Sequence, residues 1–515
     1  MTSQQHRRGA RRAAFATGAA LAVVAVTGAA PGVGAAPTSK PSKPQLKLIA
    51  ATQSVTLDRW SGEPGVYLDL GTYLTVDGAP LEFRVTRASY KDPVVARQIL
   101  RDGRRTTSRT LPAGLVKDFK GLPGFLQVSV TDAAGKEVVK TAGTFCPNNA
   151  AGRLRPDAPA TSHYPESCPE NPFTLGSVWG VEKGWAARTG TVDYENPVDL
   201  PAGEYTAKVS VAKKYRDLFG IPDDRPTIKV TVRDVGDGDT GGGGEEGGTA
   251  PLRSAARADH GDASHGAPRA AARRPSGPAR VPANTPRPDL RSLPAWGIAI
   301  TDGEDGDAPG RDYLAFSATV WNAGPSPLVV DGFRKPGQDL MDAYQYFYDG
   351  KGKQVGYTPT GTMEWDARDG HEHWHFTDFA VYRLLSEDRT KEVRSGKEAF
   401  CLANTDAVDY TVKNANWRPY NTDLSTACGE QNTISVREVL DVGSGDTYSQ
   451  YRPGQSFDIT DLPNGTYYIQ VTANPEKRLH EANLKNNVSL RKVVLGGTPG
   501  ARTVQVPPYD LVDAP

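Results

Sequence analysis

Tyr313-Leu-Ala-Phe-Ser-Ala-Thr-Val-Trp321 is followed at once by Asn322-Ala-Gly-Pro325. Leu314, Phe316, Ala318 and Val320 recur at every second position, so a β-strand would place them on one face. Asn, Gly and Pro then supply the backbone conformations of a turn. Working outward, residues 467–471 and 488–495 have the composition of later strands, as do 46–51, 66–70, 81–85, 125–130, 205–211 and 227–232 nearer the start. Gly, Pro, Asp and Asn punctuate these runs. Short strands between frequent turn signals predict a mainly β protein of antiparallel, β-sandwich-like domains. One short helix is expected near residues 94–101. Leu200-Pro-Ala-Gly-Glu-Tyr205 is echoed by Leu462-Pro-Asn-Gly-Thr-Tyr467. The echo fits either two related sandwiches or common hairpin chemistry.

A chain of 515 residues is long enough for two or three domains. Its 38% hydrophobic content, 54 glycines and 40 prolines imply a substantial linker beside the folded parts. The expected organisation is an export signal at 1–36, a first β-sandwich-like domain at 46–235, a disordered Gly/Pro/Ala/Arg linker at 236–287, and a second β domain at 288–500. Arg7, Arg8, Arg11 and Arg12 precede an apolar run and the small residues Ala35-Ala36, the layout of a cleaved signal peptide. The expected location is therefore secreted or extracellular. A formal net charge of zero argues against a nucleic-acid binder. No later segment approaches the roughly 20 apolar residues of a membrane span. Abundant Ala, Gly and Arg suggest a bacterial source. The linker arginines favour a solvated spacer, with a basic arm contacting cell wall or matrix as the sharper reading. Four cysteines in an exported chain favour disulfides, and pairing by neighbourhood gives Cys146–Cys168 and Cys401–Cys428.

Three of the eight histidines crowd into His371-Glu-His373-Trp-His375. On a strand, positions i, i+2 and i+4 share a face, and three imidazoles there close on one ion at about 2.0–2.1 Å. Three protein ligands leave a position for water, oxygen or substrate, so a catalytic metal fits better than a structural one. The donor set suits zinc, copper, nickel or iron. Zinc hydrolysis, iron oxygenation and copper oxidation all remain open on the pattern alone.

Several further segments, in order, narrow the choice. Glu364-Trp365 precedes the triplet, and Asp378-Phe379 and Tyr382-x-Leu384-Leu385 follow it. Gly396-Lys397-Glu-Ala-Phe400-Cys401 comes next, then Asp446-Thr-Tyr448 with Asp458-Ile-Thr-Asp461 after it. Asn474-Pro475, Glu481 and Asn486-Asn-Val488 close the series. Over roughly residues 288–500 this chain resembles the lysyl oxidase family, copper- and quinone-dependent amine oxidases. The resemblance implies that His371, His373 and His375 bind Cu(2+), and that Lys397 and Tyr448 join as lysine tyrosylquinone. It implies oxidative deamination of a primary amine or of lysine in a protein, with dioxygen consumed and hydrogen peroxide and ammonia released. A base must reach the substrate α-carbon. Asp378 is the candidate, its alternative being a carboxylate that orients a copper histidine; Asp366 and Asp369 are weaker candidates. Extra residues between Trp365 and the triplet depart from the animal pattern. The rival accounts are a non-enzymatic, metal-binding extracellular adhesion module and a zinc hydrolase.

Overall fold

Thirteen residues, from Gln354 to Asp366, make a long strand that turns back into an equally long one, His373–Leu385, at the middle of a nine-stranded sheet. The computed structural model describes residues 43–512 apart from 63, 103–104, 150, 191–196, 236–273, 304–306, 369–370, 420–423 and 453. The expected export signal and most of the expected linker lie outside the described residues.

The first half carries three sheets. One contains Gln45–Ala50 and Thr72–Asp77; a second contains Leu81–Thr86 and Gly176–Val181; a third contains Gly203–Val211 and Leu122–Asp132. Alternate side chains such as Leu46, Leu48, Phe83, Val85, Val128 and Val130 point into one shared core. The pairings are antiparallel as expected, with one exception. Ser54–Trp60 runs parallel to Thr227–Val235, so an early and a late strand of this half lie side by side. The helix expected near 94–101 is instead the strand Val95–Asp102, held between Leu81–Thr86 and Arg105–Thr110. Two ladder partners outweigh a local apolar spacing that suits a helix. Among the described residues the α-helix is Lys213–Phe219, ended by Gly220 in the left-handed conformation that glycine adopts without a Cβ clash.

The second half stacks the nine-stranded sheet against a smaller one built on Tyr313–Asn322, which pairs with Leu290–Ser292 and Ser444–Tyr448. The mainly β, two-sandwich reading of the sequence is what the chain adopts. The Tyr313–Asn322 strand, however, is buried along its whole length, on both faces. Leu314, Phe316, Ala318 and Val320 enter the core of this half as the alternation predicts. On the other face Trp321 packs with Tyr90 and Phe173 of the first half, and the Asn171 side-chain amide donates to the Thr319 hydroxyl at 3.1 Å.

The two halves therefore share a seam. Leu175 N–H donates to the Val408 carbonyl at 3.1 Å and Tyr410 N–H to the Gly176 carbonyl at 3.0 Å. Gly176 is required there, since a Cβ would stand 2.1 Å from an Asp409 carboxyl oxygen. Residues 274–287, read as the end of the linker, lie along the second half. Arg280 exchanges backbone hydrogen bonds with Tyr357, and Arg274 pairs with Asp342.

Both disulfides form as the neighbourhood pairing predicts, Cys146–Cys168 and Cys401–Cys428. Each closes a loop whose cross-link constrains the unfolded chain by roughly 3–4 kcal/mol.

Candidate metal centre

One β-strand and the turn before it deliver the histidines. His373 and His375 lie on His373–Leu385, two residues apart and so on one face. His371 does not belong to that strand. It sits in the preceding turn, where its N–H and that of Glu372 both donate to the Arg368 carbonyl. The expected strand alternation thus holds for two histidines, and a turn brings in the third. The three side chains converge so that one ligand nitrogen from each lies within 4.8 Å of the others, and all three are buried. The His373 and His375 rings are 4.6 Å apart and the His371 and His375 rings 5.4 Å.

The electrostatics favour neutral imidazoles. Burial, then the neighbouring His373, hold His375 well below the usual histidine range, while Asp366 acts in the opposite sense. Neutral imidazole is the form that coordinates a metal. Neither ring nitrogen of His375 has a hydrogen-bond partner; an Asp366 carboxyl oxygen stands 3.5 Å from its Nδ1. A fully buried polar ring left in that state is costly unless something else takes its lone pair. A cation at the convergence point fits.

Asp366, only a secondary candidate from the sequence, is the carboxylate at the triplet. Its oxygen lies 3.5 Å from Nδ1 of both His371 and His375. Burial pushes Asp366 up, but hydrogen bonds from Arg368 prevail and hold it at about 2. It is an anion beside the histidines, suited to orienting them. Asp378 lies on the triplet strand, within a stretch where the register against Glu392–Phe400 shifts; its side chain is outside the described structure. Asp369 lies outside the described residues.

Lys397 is on Glu392–Phe400, opposite Val381 in the ladder; its side chain is likewise not described. Tyr448 ends Ser444–Tyr448, which belongs to the facing sheet. Its buried ring lies 6.1 Å from that of His371 and packs edge-on against Phe400 at 4.3 Å. Its hydroxyl accepts the Cys401 N–H at 3.3 Å. Tyr448 is therefore beside the triplet, and the lysine strand ends at Phe400 and Cys401 against it. Cys428, joined to Cys401, accepts the Trp374 N–H at 3.2 Å, between two of the histidines. These backbone contacts carry no sequence signal of their own.

Residues 350–501 match the family model described as lysyl oxidase. Lysyl oxidase homolog 2 of Xenopus tropicalis is 32% identical over 142 residues, which are 26% of this chain and 16% of that protein. Lysyl oxidase homolog 3B of Danio rerio is 33% identical over 131 residues, 25% of this chain and 14% of that protein. Lysyl oxidase homolog 2 of Homo sapiens is 30% identical over 129 residues, 25% and 15% respectively. The similarity spans about one sixth of these relatives' length, and the family model covers residues 350–501. No helix among the described residues is long and apolar enough to cross a membrane.

Proposed function

With residues 350–501 as a lysyl oxidase domain, we propose that this chain is a secreted, copper-dependent amine oxidase. It converts primary amines, or lysine side chains of proteins, to aldehydes. His371, His373 and His375 hold Cu(2+), and Lys397 and Tyr448 are the precursors of lysine tyrosylquinone. Copper and quinone together supply the two-electron oxidation of the amine, with dioxygen as final acceptor and hydrogen peroxide and ammonia as products.

The observation that carries this reading is the buried tyrosine facing a buried three-histidine cluster across the two sheets. A strand tyrosine is unremarkable singly; its position at a metal-competent cluster, with the lysine strand ending beside it at Phe400, is what supports the reading. The chain's own residues divide the work. Asp366 orients two imidazoles, and burial keeps His375 in the neutral, metal-binding state. Phe400 and the Cys401 amide hold the Tyr448 ring and oxygen in place. Asp378 is proposed as the group that takes the substrate α-proton. The first half, joined along the seam, is proposed to contact cell wall, matrix or substrate protein. The export signal at 1–36 would deliver the chain outside the cell.

The test uses the full chain, loaded with copper in air, treated with phenylhydrazine and mapped by mass spectrometry. A coloured adduct on a Lys397–Tyr448 cross-linked peptide pair is expected. Tyr448→Phe should abolish the adduct while metal binding stays within about twofold, since phenylalanine keeps the packing and removes only the oxygen. Unmodified Lys397 and Tyr448 in folded, copper-loaded protein would leave a metal-binding adhesion module as the better account.

A further inference from the structure

Asn171 belongs to the first half, in the segment that leads into Gly176–Val181. Its side chain is buried, and both ends of the amide are used. Oδ1 accepts the Phe173 N–H at 3.0 Å, which leaves Nδ2 for the second half. There Nδ2 donates to the Thr319 hydroxyl at 3.1 Å and to the Asp406 carboxylate at 3.4 Å. Thr319 and Thr447 are ladder partners with hydroxyl oxygens 2.7 Å apart, and the Thr447 hydroxyl donates to the same Asp406 oxygen.

A hydroxyl has one proton to give. That of Thr447 goes to Asp406, so Thr319 supplies the proton between the two threonines. The Thr319 oxygen in turn accepts from Asn171 and, at 3.3 Å, from the Trp296 indole N–H. The direction of each bond is thereby set. Asn171 reaches Asp406 directly and, by a second arm, through Thr319 and Thr447. Connected bonds of this kind reinforce one another, and a buried member left without its partner is costly. Thr447 is held by its backbone as well, since its N–H donates to the Thr405 hydroxyl at 2.7 Å. Neighbouring residues of a strand face opposite ways. Thr447 faces the seam; Tyr448 faces His371, Phe400 and the Cys401 amide. Their strand therefore lies between the seam and the histidine cluster.

We propose that Asn171 is a positioning residue supplied by the first half: its amide, through Thr319 and Asp406, anchors Thr447 and so sets how far Tyr448 reaches toward the histidine triplet. The proposal rests on reading the triplet and Tyr448 as one centre. It gives the first half a part in that centre, separate from any contact with wall or matrix. Asn171 touches no reacting atom in this account.

The test compares the full-length chain with Asn171→Asp, Asn171→Ala, Thr319→Ser and Thr319→Val. Asn171→Asp keeps the shape and the oxygen that Phe173 uses, but puts a second carboxylate where the donor was. Amide hydrogen exchange is read without copper at three places. These are Thr447, Cys401, whose N–H holds the Tyr448 hydroxyl, and Leu175, whose N–H crosses the seam to Val408. Both Asn171 variants should exchange roughly 2- to 10-fold faster at Thr447 and Cys401, the equivalent of one lost hydrogen bond, with Leu175 unchanged. Thr319→Ser keeps the hydroxyl and should keep the slow exchange; Thr319→Val should lose it. The Asn171 variants should bind Cu(2+) as wild type does, because no histidine is touched, yet form less of the Lys397–Tyr448 cross-link. Wild-type exchange at Thr447 and Cys401 in folded Asn171 variants would overturn the proposal, as would an unchanged cross-link yield. Equal acceleration at Leu175 would overturn it too, since the seam as a whole would then have loosened. Should neither Asn171 variant fold, the Thr319→Ser and Thr319→Val pair decides. A wild-type chain that never forms the cross-link would sink the oxidase reading, while the exchange comparison would still judge this one.

Discussion

Glu438 carries a consequence for pH at the scale of one residue. Burial pushes its carboxyl well above the ordinary glutamate value of 4.5, with the hydrogen bond from Leu402 opposing and nearby Asp446 reinforcing the shift. The folded state then keeps a proton that the unfolded chain gives up above about pH 4.5. Folding is coupled to proton uptake, so this residue's contribution to stability falls as pH rises through that window. Glu438→Gln has no such proton. Urea unfolding of both proteins between pH 5 and 7 should show wild type losing stability relative to the variant by up to about 1.4 kcal/mol per pH unit. A constant difference across that range would mean that the folded carboxyl is ionised. In the sequence, Arg437-Glu438 looks like an exposed charged pair. Arg437 is in fact buried against Asp331, a cross-strand partner 106 residues earlier. The histidine triplet was legible because its members are adjacent; the burial of Glu438 was not, because its partner Leu402 lies 36 residues earlier in the chain.

At the scale of the element, the echo between the halves becomes a shared structure. Leu200-Pro-Ala-Gly-Glu-Tyr205 and Leu462-Pro-Asn-Gly-Thr-Tyr467 each lead into a nine-residue strand, Gly203–Val211 and Gly465–Ala473. In each the tyrosine hydroxyl donates to the carbonyl of the proline four residues earlier, at 2.9 and 2.8 Å. The tyrosine pins the turn to the strand that follows. Tyr467 is buried and Tyr205 only partly so. Removing a buried hydrogen bond costs about 0.5–1.5 kcal/mol net. Tyr467→Phe should therefore destabilise by about 1 kcal/mol in urea unfolding, and Tyr205→Phe by clearly less. Equal effects would show that burial does not set the strength of this contact. The same scale explains the misread helix. In 94–101 the apolar residues follow a helix-like spacing, yet Ala96 and Gln98 are the buried positions, at the strand period of two. The partners on either side decided the outcome, and a local pattern cannot report them.

For the whole molecule, the seam makes one structure of the two sandwiches. Phe173 is fully buried, edge-on to Tyr90 at 4.9 Å and to Tyr509 at 5.4 Å, in a cluster with Leu293, Trp321 and Val408 of the second half. Phe173→Ala should cost about 3–5 kcal/mol and separate the calorimetric transitions of the two halves. An unchanged single transition would mean that the seam contributes little to stability. Its position matters for function, because Thr319, which meets Asn171 of the first half, also shares a hydrogen bond with Thr447, the residue before Tyr448. The first half thus supports the strand that carries the tyrosine.

The amino-acid sequence by itself determined the β class, the two disulfide pairs, the histidine triplet and the order of the lysine and tyrosine segments. Each of these is written locally, as a period, a composition or a short motif. Only the tertiary structure decided that His371 comes from a turn, that Asp366 is the carboxylate beside the histidines, that Glu438 lies buried against the Leu402 amide, and that the halves share a seam. These depend on strand partners and register separated by tens to hundreds of residues. Such choices are made by burial and hydrogen-bond satisfaction across the whole fold, and neighbouring residues alone do not encode them.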